Sequence, residues 1–497
     1  MSILTSNNFQ QMAEGIEVST LSKNFRDAII VTRGLGLRFI WIDALCIIQG
    51  STEDWALESA KMGRYYKGGT VMISALASLN AGDGILKTRD VDLNSVKVSV
   101  NGANAFIRPV LHDALSVLSS SDRTCAARDP IAIQPLNDRA WSLQERLFAP
   151  RILHFSSQQM IWDCKTCVVS EDNQYHFDNW NTHRSDLLNL EGGKGNSKGE
   201  SAKRPSIKST GWYNLVEAYT SRHITYNSDL LPGLSGLAGS VQELTGHKYI
   251  AGLWYGNATV FIRSLLWSVA YDNLVIRKEE AIPSLNGSPS WSWASIEGKI
   301  SYGYQWSFRY PQEAIDPIFF LREARLATSN PFGQVRGGKL GLVGQIHPFK
   351  GPTTFAEFQA RKRIERWSIR KGSPEDRTEC TYLDGSYQGL DASFESGTGG
   401  IGDDDPNDES MDITLDFPDP DYDWLTRQHM ILFMCVWDRD KEDPDDYSEH
   451  QEFLLLRRAE GKEAATFERI GIAEANSPHY LDISEVEGWL RRRLYLV

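Results

Sequence analysis

An α/β fold is predicted for the first part of the chain and a β-rich fold for its last part, on three observations. Residues 37–42, Leu-Arg-Phe-Ile-Trp-Ile, are apolar, β-branched and aromatic, the composition of a buried strand. A helical pattern from Ser51 to about Tyr66 follows, and Gly68-Gly69 then leads into 70–75, a second strand-like run. Strand, helix and strand at this spacing make a βαβ unit, hence a partly parallel sheet flanked by helices with a right-handed crossover. After Pro289 the pattern changes to short apolar runs between turn residues, at 339–346, 430–437, 452–456 and 467–473.

In chain order, a helix is predicted over 21–34. Ser22 caps it, Phe25, Ala28, Ile29 and Thr32 share one face, and Gly34 stops it. In the helix after Ser51, Thr52, Glu53 and Asp54 suit the N-terminus, with Trp55, Met62 and Tyr66 inward. Short strands are expected at 96–100 and 105–110. Asp138 reads as the N-cap of a helix that Pro150 ends, with Trp141 and Glu145 one turn apart. A hairpin about Ser156-Ser157 joins 151–155 to 159–163. The domain reading is 1–168, a loop or linker over 169–210 with linker composition at 191–210, a helical segment over 211–288, and a β-rich domain over 289–497. Helices are expected at 212–221, 229–241 and 251–267. An acidic mobile loop is expected at 396–423, and Trp291 and Trp293 alternate as core residues of a strand.

Composition excludes several function classes. With 41% hydrophobic and 11% aromatic residues, the 497-residue chain is globular. Its net charge is −13, and ten acidic residues with no Lys or Arg lie between Asp403 and Asp423. Such a balance offers no grip on a phosphate backbone, so no nucleic-acid partner is expected. Six Cys in so long a chain form no disulfide framework, the first residues form no signal peptide, and no apolar run approaches the ~20 residues of a spanning helix. The expectation is a cytoplasmic protein, in which the sequons at Asn257 and Asn286 carry no meaning.

The chemical candidates fall in two groups. Asp43, Cys46 and Gln49 follow the expected strand at 37–42, at the carboxyl end where ligands gather in open α/β sheets. Cys46 as a nucleophile needs a base, and the first His is His112, so His112 or His154 would have to approach. Packing is the favoured role for Cys46, and Asp43 is the residue aimed at a site. Arg139, Glu145 and Arg146 form the second group: a carboxylate for acid–base work with guanidinium groups that clamp phosphate or ribose. A structural ion-pair network is the competing reading. Cys164-Lys165-Thr166-Cys167 is a CxxC followed by His176 and His183, but the ligand spacing is irregular and no metal is expected. Residues 397–402 match GxGxxG without the strand and helix that give the motif meaning, and the acidic run after them is at most a weak Ca²⁺ ligand.

Three blocks resemble the heterokaryon incompatibility (HET) domain of filamentous fungi. The first runs from Trp41 through Asp43, Cys46 and Gln49, followed by Met62 and Tyr65-Tyr66. The second is Arg139-Ala140-Trp141-Ser142-Leu143-Gln144-Glu145-Arg146 with Pro150-Arg151-Ile152-Leu153 after it. The third is Ile161-Trp162-Asp163-Cys164, where the family has Trp-Glu-Cys. The family opens with Leu-Ser-Tyr-Xaa-Trp-Gly, and nothing like it precedes Leu4-Thr5-Ser6-Asn7, so the domain's first element is expected to be missing. The resemblance implies allorecognition: a cell-death effector or signalling module with protein partners in incompatibility signalling, a homo-oligomer remaining open. It also implies distant kinship with TIR domains of flavodoxin-like, doubly wound fold, some of which cleave NAD with a glutamate. On that analogy the chain is a TIR-like NAD glycohydrolase, with NAD as substrate and no bound cofactor. Glu145 and Asp43 are then catalytic, and Arg139, Arg146, Gln49 and Trp141 bind. An inactive interaction module from a degenerate or truncated copy is the third reading.

Overall fold

The structure is a computed structural model. It describes residues 3–87, 96–100, 103–107, 134–157, 159–171, 176–178, 211–270, 287–296, 298–302, 317–350, 379–382, 385–388, 390–391, 411–415, 430–439, 449–459, 461–463, 465–476 and 490–497. His112, His183, Asn286, the 191–210 stretch, the 397–402 glycines and most of 396–423 lie outside these. The chain divides into two compact units. The first comprises Met1–Ser201 with Arg222–Thr225 and Pro232–Leu237; the second comprises Ala202–Ser221, Tyr226–Leu231 and Ala238–Val497.

In the first unit the helix Lys23–Gly34 forms where its spacing sets it, with Ser22 at the N-cap position but making no side-chain cap bond. Its buried Asp27 accepts N–H bonds from Ile85 at 2.8 Å and Leu86 at 3.1 Å, so the carboxylate is satisfied by backbone. The helix expected from Ser51 to Tyr66 is two helices, Thr52–Ser59 and Met62–Gly68. Ser51 caps the first, its hydroxyl accepting the Asp54 N–H at 3.2 Å. Gly63 lets the second approach the helix Ala140–Phe148: a Cβ there would lie 2.8 Å from the Phe148 ring. Arg139, not Asp138, holds the N-cap position of Ala140–Phe148, because Asp138 closes the 3-10 turn Pro135–Asp138.

Residues 37–42 correct the opening expectation, for they form no strand. Phe39 is 85% exposed, and the chain turns at once into the short helix Asp43–Cys46. An extended apolar run is visible in sequence, but the strand that would pair with it is not. The parallel pair joins other elements: β1 (Met72–Ser74) lies beside Arg151–Phe155, with Met72 opposite Ile152. β2 (Val96–Val100) and β3 (Ala103–Ile107) form a separate hairpin. β4 (Arg151–Phe155), β5 (Met160–Cys164), β6 (Cys167–Ser170) and β7 (His176–Asp178) then complete a five-stranded sheet in the order β1-β4-β5-β6-β7. All contacts after β1–β4 are antiparallel, so the sheet is partly parallel, and the end of β6 and all of β7 occupy residues expected to be loop. Ile161, Val168 and Leu76 bury their side chains together, with Leu136 packed against them.

The second unit buries one face of the helix Trp212–Thr220 through Trp212, Leu215, Val216 and Tyr219. The helix expected over 251–267 is a hairpin followed by a shorter helix. Lys248–Ile250 and Leu253–Tyr255 pair around Ala251-Gly252, whose φ values of 45° and 94° suit a two-residue turn. Asn257 then caps Ala258–Leu265, its side chain accepting the Val260 N–H at 2.8 Å. Ser292 donates to the Ala251 carbonyl at 2.6 Å and the Trp293 indole to the Gly252 carbonyl at 3.0 Å. Trp291 and Trp293 are therefore buried as expected, but around the 3-10 turn Trp293–Ser295 and not on a strand. The helix expected over 229–241 is two 3-10 turns, Asn227–Asp229 and Pro232–Leu234, and the helix Ser235–Thr245.

Beyond them, Val335–Lys350, Met430–Arg439, Glu449–Arg458, Thr466–Asn476 and Leu490–Leu496 pair in succession. The last returns to Val335–Lys350, so five strands close a ring. Closure removes exposed edges from these strands. Met411–Leu415 adds to Thr466–Asn476 within the stretch read as a mobile acidic loop. Its alternation of Met411, Ile413 and Leu415 with polar residues is a strand period that the surrounding charge obscures. Among the described residues no helix is long and apolar enough to cross a membrane.

Candidate active site

Four side chains of the first unit converge: Asp43, Tyr66, Arg139 and Glu145. Asp43 opens the short helix Asp43–Cys46 and bonds its own turn, accepting the Ala44 N–H at 2.7 Å. Tyr66 comes from Met62–Gly68, and Trp41 steadies this helix, its ring 5.2 Å from Tyr65 and 5.7 Å from Tyr66. Arg139 and Glu145 come from the start and the second turn of Ala140–Phe148. Backbone pairing anchors that start: Ala140 N–H donates to His223 at 2.9 Å and His223 N–H to Asp138 at 2.6 Å. Arg222 reinforces it by donating to the Asn137 carbonyl and to the Ser142 hydroxyl.

The electrostatics single out Glu145. Its carboxyl is closely surrounded by protein, although the residue keeps part of its surface open. Desolvation and then the nearby charge of Asp43 raise its pKa from 4.5 to about 7, offset in part by Arg139 and by a hydrogen bond with Tyr66. Burial, with the charges of Glu145 and Asp43, pushes the Tyr66 phenol well above its ordinary value, so Tyr66 donates to the carboxylate. A carboxyl near neutrality can both give and take a proton. The exposed Arg139 and Asp43 form the open side, where a guanidinium can grip an anionic group beside a second carboxylate.

The remaining expected residues have other surroundings. Arg146 turns inward, its Nε 3.4 Å from the Asp163 carboxylate, and His154 Nε2 lies 3.5 Å from the same oxygen. That buried group ties Ala140–Phe148 to β4 and β5; Arg146 is not placed at Glu145, because consecutive helical residues point about 100° apart. Gln144 is buried and accepts the Gly236 N–H at 3.0 Å. Gln49 donates to the Ile47 carbonyl at 2.9 Å and so holds its own loop. Trp141 packs edge-on against Trp55 at 5.4 Å. Cys46 is exposed and does not pack as expected, and its thiol is pushed up, first by partial desolvation of the sulfur and further by Asp43 and Glu58, which opposes a thiolate nucleophile. Trp162 and Cys164 lie on β5, half-buried. Tyr66 is the site residue that residue-level reasoning placed only as an inward helix position; its adjacency to the first block was the available signal.

A mixed α/β unit with a desolvated carboxylate, a second carboxylate, a phenol and an arginine at one place is the class that fold and site define. Residues 3–145 match the family model of the heterokaryon incompatibility protein (HET), so this stretch of the chain is a HET domain. The match covers residues 3–145 of the 497-residue chain and supports a heterokaryon incompatibility-related family for that stretch. The match includes all four converging residues and ends at Glu145. No curated protein and no solved structure matches the chain.

Proposed function

We propose that the chain is a cell-death effector of non-self recognition and that it acts through the Asp43–Tyr66–Arg139–Glu145 site. The family match supports the setting, and the convergence of these four side chains carries the reading. Induced expression in a filamentous fungal host tests it. Growth arrest is expected with the wild-type chain and its relief with Glu145→Gln or Asp43→Asn; normal growth despite abundant soluble wild-type protein overturns the proposal.

The same convergence favours an enzymatic reading, a glycohydrolase that cleaves NAD with Glu145 as its key carboxylate. Arg139 would hold an anionic part of the substrate, and Tyr66 would orient Glu145. Purified protein incubated with NAD is expected to release nicotinamide, with Glu145→Gln slower by roughly 10²-fold or more. Equal turnover by the two proteins removes Glu145 from the chemistry.

A further inference from the structure

At the tip of the hairpin between β5 and β6, two cysteines are placed side by side. The register sets Asp163 opposite Val168, and one step further it sets Cys164 across from Cys167, with Lys165-Thr166 as the two-residue loop. Burial alternates along both strands: Ile161, Asp163, Val168 and Ser170 face inward, and Cys164 and Cys167 share the opposite, half-exposed side. Directly opposite residues of antiparallel strands have Cα atoms about 4.5–5.5 Å apart, inside the ~4.4–6.8 Å window that a disulfide spans. The sulfurs are 3.7 Å apart, in contact.

The loop is also arranged around the Cys164 sulfur. Backbone N–H groups of Thr166 and Cys167 donate to it, and Thr166 Oγ1 lies 3.2 Å away. Against the opposing effect of burial, these hydrogen bonds lower the thiol from 9.0 to about 7, so that a substantial fraction is thiolate near neutrality. Among the described residues no three His, Cys, Asp or Glu side chains cluster as metal ligands, whereas structural zinc takes four. Two sulfurs in contact, one carrying the nucleophilic form, point to redox chemistry.

We propose that Cys164 and Cys167 are a redox-active dithiol that exchanges with low-molecular-weight disulfides. The Cys164 thiolate attacks one sulfur of RS–SR, forming a mixed disulfide and expelling RS⁻. The Cys167 thiol gives its proton to solvent, and its thiolate attacks the Cys164 sulfur and expels the second RS⁻. The dithiol loses two electrons, the small disulfide gains them, and both leaving thiolates take up protons from solvent as their pKa values dictate. The ring formed locks the tip of the hairpin that carries Asp163, the partner of Arg146.

The test uses the full chain in buffers of stepped glutathione to glutathione disulfide ratio, quenched with acid, alkylated and mapped by mass spectrometry. A single two-electron transition is expected, ending in one peptide that contains both cysteines, lacks two hydrogens and resists alkylation. Cys167→Ser is expected to stop at the glutathione adduct of Cys164, and Cys164→Ser to leave Cys167 reduced. At pH 7 the native chain is expected to react roughly fivefold faster than the urea-unfolded chain, whose Cys164 lacks the N–H donors, the larger thiolate fraction being offset in part by the lower nucleophilicity of a less basic thiolate. Two alkylatable thiols at the most oxidising ratio overturn the proposal, as does equal reactivity of native and unfolded chains. Thiols that become alkylatable only after a chelator strips zinc assign a metal site instead.

Discussion

Glu145 holds its proton more tightly when folded than when unfolded, and the sign of its effect on stability follows. Between pH 4.5 and about 7 the folded chain binds more protons at this site than the unfolded chain, so stability falls as pH rises through that window and levels off above it. Glu145→Gln removes the titration. Urea unfolding at pH 5 and pH 8 is expected to show the variant gaining on the wild type with pH, by on the order of 2 kcal/mol after allowance for the open side of the residue. A parallel pH dependence of the two proteins contradicts the raised pKa. A carboxylate kept at such a cost in stability fits a functional role better than a structural one. Asp163 is the contrast: fully buried beside Arg146 and His154, it neutralises charge where no solvent reaches. Asp163→Asn is expected to lower stability by about 3 kcal/mol in urea titration, because the Arg146 guanidinium keeps its charge and loses its counter-ion. A loss below ~1 kcal/mol would show that the pair contributes little.

Turn chemistry decides the outcome at the level of elements. The Ala251-Gly252 turn is clamped by Ser292 and Trp293, and its two positions have opposite tolerances. A Cβ at Gly252 would stand 2.5 Å from the Trp293 indole nitrogen at φ +94°, so Gly252→Ala is expected to cost on the order of 2–3 kcal/mol. Ala251, at φ 45°, is the only described residue other than glycine with positive φ, and Ala251→Gly is expected to be neutral or stabilising by up to ~1 kcal/mol. Thermal melts of both variants check the pair; a larger loss at position 251 than at 252 would reverse the assignment of strain. The same turn explains why the apolar run over 251–267 misleads as a helix. Short apolar runs do not separate buried strand from buried helix, and the Ala-Gly turn with Asn257 as the next cap was the discriminating signal.

Over the whole molecule, the folded unit and the family match have different extents. The HET match stops at Glu145, yet the helix that bears Glu145 is held by Arg222, His223 and Gly236, which belong to the same unit although far along the chain. A fragment of residues 1–170 is therefore expected to lack cooperative unfolding. In the full chain Arg222→Ala is expected to cost about 1–3 kcal/mol, leaving the Asn137 carbonyl and the Ser142 hydroxyl without this donor. Circular dichroism melts check both, and a fragment that melts sharply at the temperature of the full chain would show that the later segments are dispensable. In the second unit Arg469 has a similar joining role, its guanidinium donating to the carbonyls of Leu265 and Trp267 and lying 3.6 Å from the Trp267 ring.

Local chemistry was legible before any coordinates. Helices with clear apolar spacing, such as Lys23–Gly34, Ala140–Phe148 and Trp212–Thr220, stand within a few residues of their expected places, although none of the three has a side-chain N-cap bond. The hairpin about Ser156 and the four strands expected in the C-terminal part also stand near theirs, whereas the strands Ile318–Leu326, Met411–Leu415 and Leu490–Leu496 were not expected. Asp43, Arg139 and Glu145 were named from residue type and context. Each of those signals is carried within one or two turns of chain. What sequence could not hold was partnership at a distance. Residues 37–42 have a strand's composition and no ladder, while Met72–Ser74 finds its parallel neighbour in Arg151–Phe155. Arg146 and Glu145 are adjacent in sequence, but one ends against Asp163 and the other beside Asp43 and Tyr66. Burial and the dielectric around a carboxyl are properties of what packs against it, so the proton affinity that marks Glu145 exists only once three separate elements have closed around it.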